Sequence, residues 1–490
     1  MKKYIPIFLI ISIAGVLLTI SAKQNNKEQV FVPIESLENT TIAAYVNGVP
    51  TDEMPNDNSN LFGYVKCYDN SGNELDTLGF VNYVNDEWKV SVNNITTNSA
   101  CNVYFIDPPA HWATAGTDTL LKAIKDNNPV VNTQTLPGKE INLIDEAELS
   151  GTIDDYGTSY YFRGNVQNNY VQFAGMCWRI VRVDGNGNIK LILWNKGGID
   201  CTISSAQGKA FNNGTYTKEG SDYNVQSTAS GVGFMYGKPD SKQIDVYAAG
   251  GAQENKYDSS MLTYLKGWYE NTFNVKDNTL TSNYTEMLAD VIWCGDKSFY
   301  EGPGYAEKDD TDKINTYFNA YNRLINNPKS PSLVCPSTSI VAGEKVNIGN
   351  ISKYTAADTT NGNGLLKKEV GKDANDKPIY KYYKVGLITA DEVAFAGGAY
   401  NKANSTYYLY TGLNSHFWTM SPFRFDGNYA LVWIVYSVGS LVNSHVHYGG
   451  GARPSIALNY DVQATYDDSD LENKPAGSVN NPYVITVPGE

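Results

Sequence analysis

Residues 417–458 read FWTMSPFRFDGNYALVWIVYSVGSLVNSHVHYGGGARPSIAL. Three short runs stand out, at 430–435, 444–448 and 454–458, separated by turns with glycine at 439 and 449–451. Runs rich in Val, Ile, Trp and Tyr and bounded by Gly and Ser read as β-strands. Trp418 reads as a core side chain and Ser421-Pro422 as a turn. Arg453-Pro454 reads as a structural pair whose guanidinium bridges loop carbonyls or a carboxylate.

Further upstream, residues 171–183 and 189–193 read as two strands around Asp184-Gly185-Asn186-Gly187-Asn188. That is a strong hairpin signal. The same residues imitate the start of a calcium loop, but the sixth-position Gly and terminal Glu are missing. Helices are expected at 261–273, capped by Ser259 or Ser260, and at 312–326, where Ile314, Phe318, Tyr321 and Ile325 recur on one face. A third is expected at 389–396, capped by Thr389 and stopped by Gly397-Gly398. A hairpin, then helices, then more strands points to an α+β fold.

The order W-x-x-S-P at 418–422, strand, glycine turn, polar strand and G-x-R-P-x-I-x-L at 451–458 resembles the closing half of a C-type-lectin-like domain. The phrases GVGFMYG (231–237) and GLITADEVAFAGG (386–398) extend the resemblance over about residues 154–487. It is similar in particular to secreted bacterial proteins without a settled activity that end in such a domain. That scaffold, which the sulfatase-modifying factors share, more often displays a binding surface than an active site. Sugar-binding C-type lectins hold calcium with a Glu-Pro-Asn or Gln-Pro-Asp triplet and a Trp-Asn-Asp strand; here Trp433 is followed by Ile434-Val435. The sulfatase-activating enzymes use two cysteines near the end of the scaffold, whereas this chain has none after Cys335. Neither a metal nor a cofactor is therefore expected.

Ahead of this domain (151–490), residues 41–107 alternate in short runs with turns at Asn47-Gly48 and Ser71-Gly72, which argues a small all-β sandwich. This segment resembles the small β-domain that sits behind the signal in the same secreted proteins. Residues 108–150 read as a helix, near 120–124 and capped by Thr117 or Asp118, followed by a polar connection. The six cysteines fall into sequence neighbours Cys67/Cys101, Cys177/Cys201 and Cys294/Cys335, none spaced as CxxC. Six thiols allow about fifteen connectivities, so pairing by neighbourhood is an expectation; Cys177/Cys201 is the weakest of the three pairs, since Cys177 beside Trp178 has a second reading as a buried free thiol.

The start of the chain sets the expected compartment. Lys2 and Lys3 precede an apolar run to Ala22, which reads as a signal peptide or signal anchor (1–22), with a polar stalk at 23–40. As a helix, residues 4–22 reach roughly 28 Å, enough to cross a hydrocarbon core. The expected location is extracellular, either secreted or anchored by that segment, with no other membrane contact. A net charge of −14 opposes nucleic-acid binding.

The run Phe423, Phe425, Asn428, Tyr436, Asn443, His445, His447 and Tyr448 holds the Tyr, Asn and His palette of adaptable binding surfaces and is the expected ligand surface. The expected role is a displayed, non-enzymatic binding or adhesion protein whose partner is a glycan or protein at the cell surface. The alternatives are an extracellular enzyme, for which Asp391, Glu392 and Asp426 supply carboxylates, or a structural envelope protein. Ser421 near His416 lacks a nucleophile elbow and a third triad member, so no catalytic residue is assigned.

Overall fold

A computed structural model describes residues 41–51, 61–73, 78–84, 87–93, 99–130, 147–211, 222–225, 231–236, 257–273, 279–301, 315–326, 329–335, 353–354, 367–372, 378–414, 416–426 and 429–488, with three single residues (55, 75 and 376) between them. The expected signal segment and stalk lie outside the described residues, as does Asn428. The chain divides into two compact units, one of residues 1–108 with 131–135 and one of 109–130 with 136–490. Among the described residues no helix is long and apolar enough to cross a membrane.

In the first unit the strands are β1 (Thr41–Val46), β2 (Val49–Thr51), β3 (Phe62–Tyr68), β4 (Leu78–Val84), β5 (Glu87–Asn93) and β6 (Ala100–Ile106). One sheet has the order β2-β1-β6-β3, and β4 and β5 form a separate hairpin. Ala44, Val103 and Phe105 of the first sheet pack against Val81 and Trp88 of the hairpin, which makes a two-layer sandwich. The layers approach closely because β3 carries Gly63, where a Cβ would lie 2.5 Å from Val81. Cys67 and Cys101 face each other across the β3–β6 ladder and are disulfide-bonded. The alternation at 78–84 is broken by Gly79 and Asn82, and that strand emerges only from its pairing with β5.

The second unit opens with α1 (Leu120–Asn127), β7 (Ala147–Asp154), β8 (Gly157–Gly164), β9 (Tyr170–Phe173), β10 (Met176–Val183) and β11 (Ile189–Asn195). It continues with α2 (Ser260–Phe273), α3 (Thr279–Met287), β12 (Phe299–Glu301), β13 (Thr316–Phe318), α4 (Asn319–Ile325) and α5 (Ala390–Ala396). It closes with β14 (Phe417–Phe425), β15 (Ala430–Val435), β16 (Leu441–His445), β17 (Ser455–Leu458), β18 (Ala464–Thr465) and β19 (Tyr483–Ile485). The larger sheet runs β17-β11-β10-β9-β19-β18, with β8 pairing β10 and β7 pairing β8; a second sheet runs β12-β13-β14-β15-β16. Every residue of β10, β11 and β15 is buried, so these strands show no polar-out alternation, and the Arg179, Arg182 and Lys190 side chains within them are buried as well. The chain is thus a mixed α+β protein.

Several expectations need correction. The run at 171–183 is two strands, because Ala174 and Gly175 take φ of 52° and 71° and turn the chain back on itself. Of the predicted helix at 312–326, residues 312–314 lie outside the described residues, and of the rest only Asn319–Ile325 is helical: Thr316 and Tyr317 of β13 pair instead with Phe425 and Arg424 of β14. Ser421-Pro422 is no turn but lies inside β14, at an irregularity in its ladder with β15, where a proline costs no paired donor. The polar strand is Leu441–His445 rather than 444–448, since Tyr448 N–H closes a turn on His445 O at 3.0 Å. The α1 cap is Thr119, whose hydroxyl accepts from Lys122 N–H at 3.2 Å.

The reading of Cys177 as a buried free thiol, which would leave Cys201 unbonded, is also overturned. Cys201 lies in the turn after β11 and is bonded to Cys177, with the two Cα atoms 5.4 Å apart. Trp194 fixes that turn by donating its indole N–H to Cys201 O at 3.0 Å, and both cysteines are buried in a cluster with Tyr170 and Trp194.

Other expectations agree with the structure. Ser259 caps α2 by accepting from Leu262 N–H at 3.1 Å. Thr389 caps α5 in a capping box with Glu392, and Gly397 ends the helix at φ 122°. The neighbouring cysteines pair as Cys67–Cys101, Cys177–Cys201 and Cys294–Cys335.

Candidate functional site

The β15–β16 hairpin decides what becomes of the predicted ligand surface. Its ladder runs from Leu431 opposite His445 to Val435 opposite Leu441, so its two ends are about 13 Å apart at 3.3 Å per residue. At the His445 end four rings interlock. Tyr429 lies 4.8 Å from His445 and 5.4 Å from His447 between ring centroids. Tyr448 lies 5.0 Å from His445 and 4.7 Å from His447. The two tyrosines are 41% and 48% exposed, and the two imidazoles are half-buried between them.

The surrounding charges shape this patch. Burial lowers both imidazoles below their ordinary value; Asp426 opposes this at His445, while at His447 the neighbouring His445 adds to it and Asp222 opposes it. Both rings are therefore uncharged at neutral pH. The result is an exposed aromatic surface with imidazole hydrogen-bonding groups and carboxylates at its margin. Among the described residues no group of three or more His, Cys, Asp or Glu is placed to hold a metal ion.

The other predicted surface residues separate. Phe423 and Phe425 are 3% and 0% exposed and belong to the core, Phe423 against Trp433 at 4.8 Å and Phe425 against Phe318 at 6.0 Å, so neither can meet a ligand. Tyr436 is 48% exposed but sits in the turn at the far end of the hairpin. Asn443 is half-buried in the middle of the edge strand, opposite Trp433. Tyr429 and Asp222 were missed: Tyr429 reads in the sequence as one more member of a Tyr-rich chain, and Asp222 reaches the patch only through its bridge to Gly449. Cys67, Cys101, Cys177, Cys201, Cys294 and Cys335 are all spent in disulfides and offer no thiol to a ligand.

A second cluster is buried beneath α5. The capping-box residue Glu392 accepts from Lys190 Nζ at 2.7 and 2.8 Å and from Arg182 Nε at 3.0 Å, and Arg182 also pairs with Asp154. Beside it, Arg323 grips Asp391 through two bonds of 2.8 Å and Asp296 through one of 2.6 Å. These groups line a cavity of about 30 Å³. That holds one or two water-sized groups and no sugar ring. Burial alone would raise the Glu392 carboxyl, but Lys190 and Arg182 outweigh it and hold it at about 2. Burial lowers the Lys190 ammonium from 10.5, with Arg182 adding to this against the attraction of Glu392. We take the pair as ionised at neutral pH because the carboxylate is held so far below it.

This cluster therefore ties β7, β10, β11, α4 and α5 together and leaves Glu392 no proton to donate. Asp184 is pushed up to about 6 by burial, yet its Oδ1 already accepts from the Asn186 and Asn188 amides at 3.0 and 2.8 Å. The carboxylate closes its own hairpin rather than offering a calcium ligand. Ser421 Oγ accepts from Ala390 N–H at 2.9 Å, and His416 packs edge-on to Trp418 at 4.6 Å, so each has a structural task. Arg453 donates to the carbonyls of Leu193 and Leu409, as its pairing with Pro454 implied.

Comparison with protein-family models, with curated proteins and with solved structures found no match for this chain.

Proposed function

We propose that this is an exported, surface-displayed binding protein whose lectin-like head meets a cell-surface glycan through Tyr429, His445, His447 and Tyr448. The observation that carries this reading is the four-ring patch at the end of the β15–β16 hairpin, with two tyrosine faces open to solvent. Exposed tyrosines provide large contact area at low entropy cost, and neutral imidazoles beside them supply hydrogen bonds that orient a hydroxylated ring. Three disulfides support an extracytoplasmic life, and the small β-sandwich suits a spacer behind a display head. The enzyme alternative finds less support, because Asp391 and Glu392 beside the cavity described above are held in ion pairs.

Glycan-array and host-matrix binding by the full chain tests this. Tyr429→Ala with Tyr448→Ala is expected to weaken binding about tenfold or more, as for other aromatic anchors. Tyr436→Ala, at the opposite end of the hairpin, is expected to leave it unchanged. Binding that survives the double substitution, or no binding to any cell-surface material, sinks the proposal.

A further inference from the structure

The second unit also buries cations that pair with no carboxylate among the described residues. Arg179 of β10 is 2% exposed and donates to Asn169 Oδ1 at 2.5 Å and to Val166 O at 2.6 Å. Arg453, 1% exposed, spends its bonds on backbone carbonyls. The electrostatic partners of these two among the described residues are Tyr170, Tyr407, Tyr408 and, for Arg453, Arg179 itself. The contrast with Arg182 and Arg323, each held by two carboxylates, is complete.

Two half-buried lysines extend this cluster toward solvent. Lys209 Nζ lies 4.1 Å from the centroid of Trp194, the same ring that Arg179 Cζ approaches at 5.1 Å. The Phe211–Ala452 bridge holds Lys209 beside Arg453. Lys196 Nζ lies 5.6 Å from the Phe211 ring, and its amide donates to Gly208 O at 3.1 Å. Burial followed by repulsion from Arg453 and Arg179 lowers Lys209 to about 8, and burial alone lowers Lys196. Within the same field, the Tyr408 hydroxyl is buried without a hydrogen-bond partner among the described residues, its ring 5.3 Å from Arg179 Cζ.

Folded proteins pair or coordinate the charges they bury. In a chain of net charge −14, four cations with no carboxylate paired to them among the described residues are a local arrangement and no consequence of composition. We propose that Lys196 and Lys209, backed by Arg179 and Arg453, form a subsite for an oxyanion group of a ligand, a carboxylate or a sulfate or phosphate ester. The half-buried ring of Phe211, beside Lys196 and 6.0 Å from the half-buried ring of Trp268, offers apolar contact to whatever carries that anion. The lysines meet the anion, and the arginines set the positive field behind them. This subsite stands independently of the Tyr429 patch.

The test is thermal stabilisation of the full chain by sodium sulfate, phosphate or acetate, against sodium chloride at matched ionic strength and pH 7. Saturable stabilisation by at least one oxyanion is expected, with acetate reporting a carboxylate ligand and the other two an ester. Lys209→Gln is expected to raise the apparent dissociation constant about tenfold, the scale of one charge-assisted hydrogen bond. Lys196→Gln is expected to act in the same direction, and it carries the test if the first variant does not fold. Lys372→Gln, which removes the same charge from an exposed hairpin, is expected to behave as the parent chain. Stabilisation that rises linearly and equally in all four proteins is a general salting effect and overturns the proposal, as does the absence of any oxyanion effect.

Discussion

Replacing Glu392 by Gln is expected to destabilise the second unit by about 3–5 kcal/mol, the usual cost of removing one partner from a buried ion pair. Glu392 is 3% exposed, and the substitution leaves the Lys190 ammonium and Arg182 guanidinium without their shared anion. It also removes the charged half of the capping box, in which Glu392 Oε2 accepts from Thr389 N–H at 2.9 Å. Urea denaturation followed by tryptophan fluorescence measures the loss. The double substitution Lys190→Met with Glu392→Met is expected to recover much of it, because it removes the pair instead of breaking it. A loss below about 1 kcal/mol in the single variant would show that the pair is not ionised, contrary to the assignment above.

The same carboxylate predicts an acid limb of stability. Its folded-state value is held at about 2 against an ordinary 4.5, so its contribution is complete above 4.5 and is lost as pH falls toward 2. Integrated over that window, the linkage amounts to about 3 kcal/mol. Asp184 acts with the opposite sign: raised to about 6 from 3.8, it favours the folded state at low pH and loses that contribution as pH rises through 6. In the Glu392→Gln variant the acid limb is expected to flatten, which pH-dependent denaturation reads directly.

The second large effect belongs to the sandwich. Cys67 and Cys101 close a loop with a sequence separation of 34, for which the chain-entropy account gives about 3–4 kcal/mol. The unit is small, and its core cluster around the bridge includes Val92 with Val65, Leu75 and Val90 packed against it. Losses of that size are a large share of what such a unit can have. Replacing both cysteines by Ala is therefore expected to unfold the sandwich selectively. Hydrogen exchange by mass spectrometry would show lost amide protection across β1, β3 and β6, with β10 and β11 unaltered. Unchanged protection in β3 and β6 would mean that the ladder itself, and not the bridge, holds the sheet.

Short-range features were legible in the sequence because they are decided within a few residues. Thr389 and Gly397 mark the ends of α5 through a capping box and a positive φ, and Asp184 closes its hairpin with its own turn amides. The neighbouring cysteines joined because each pair lies on adjoining elements of one unit; for Cys177 the choice between bond and free thiol waited on the turn that brings Cys201 back to it. What tertiary structure decided was pairing across distance. Thr316–Phe318 became a strand because β14 offered it a partner about one hundred residues later, and a helical spacing of apolar residues could not compete with those ladder bonds. Phe423 and Phe425 look like surface aromatics beside polar neighbours, yet the pleat of β14 and the rings of Trp433 and Phe318 take them inside. Arg182 and Lys190 meet Glu392 across 210 and 202 residues of chain, a contact that no window of sequence contains. The candidate patch likewise exists only because hairpin register sets Tyr429 against His445, while leaving Tyr436 at the other end: composition supplies the rings, and the ladder chooses which of them meet.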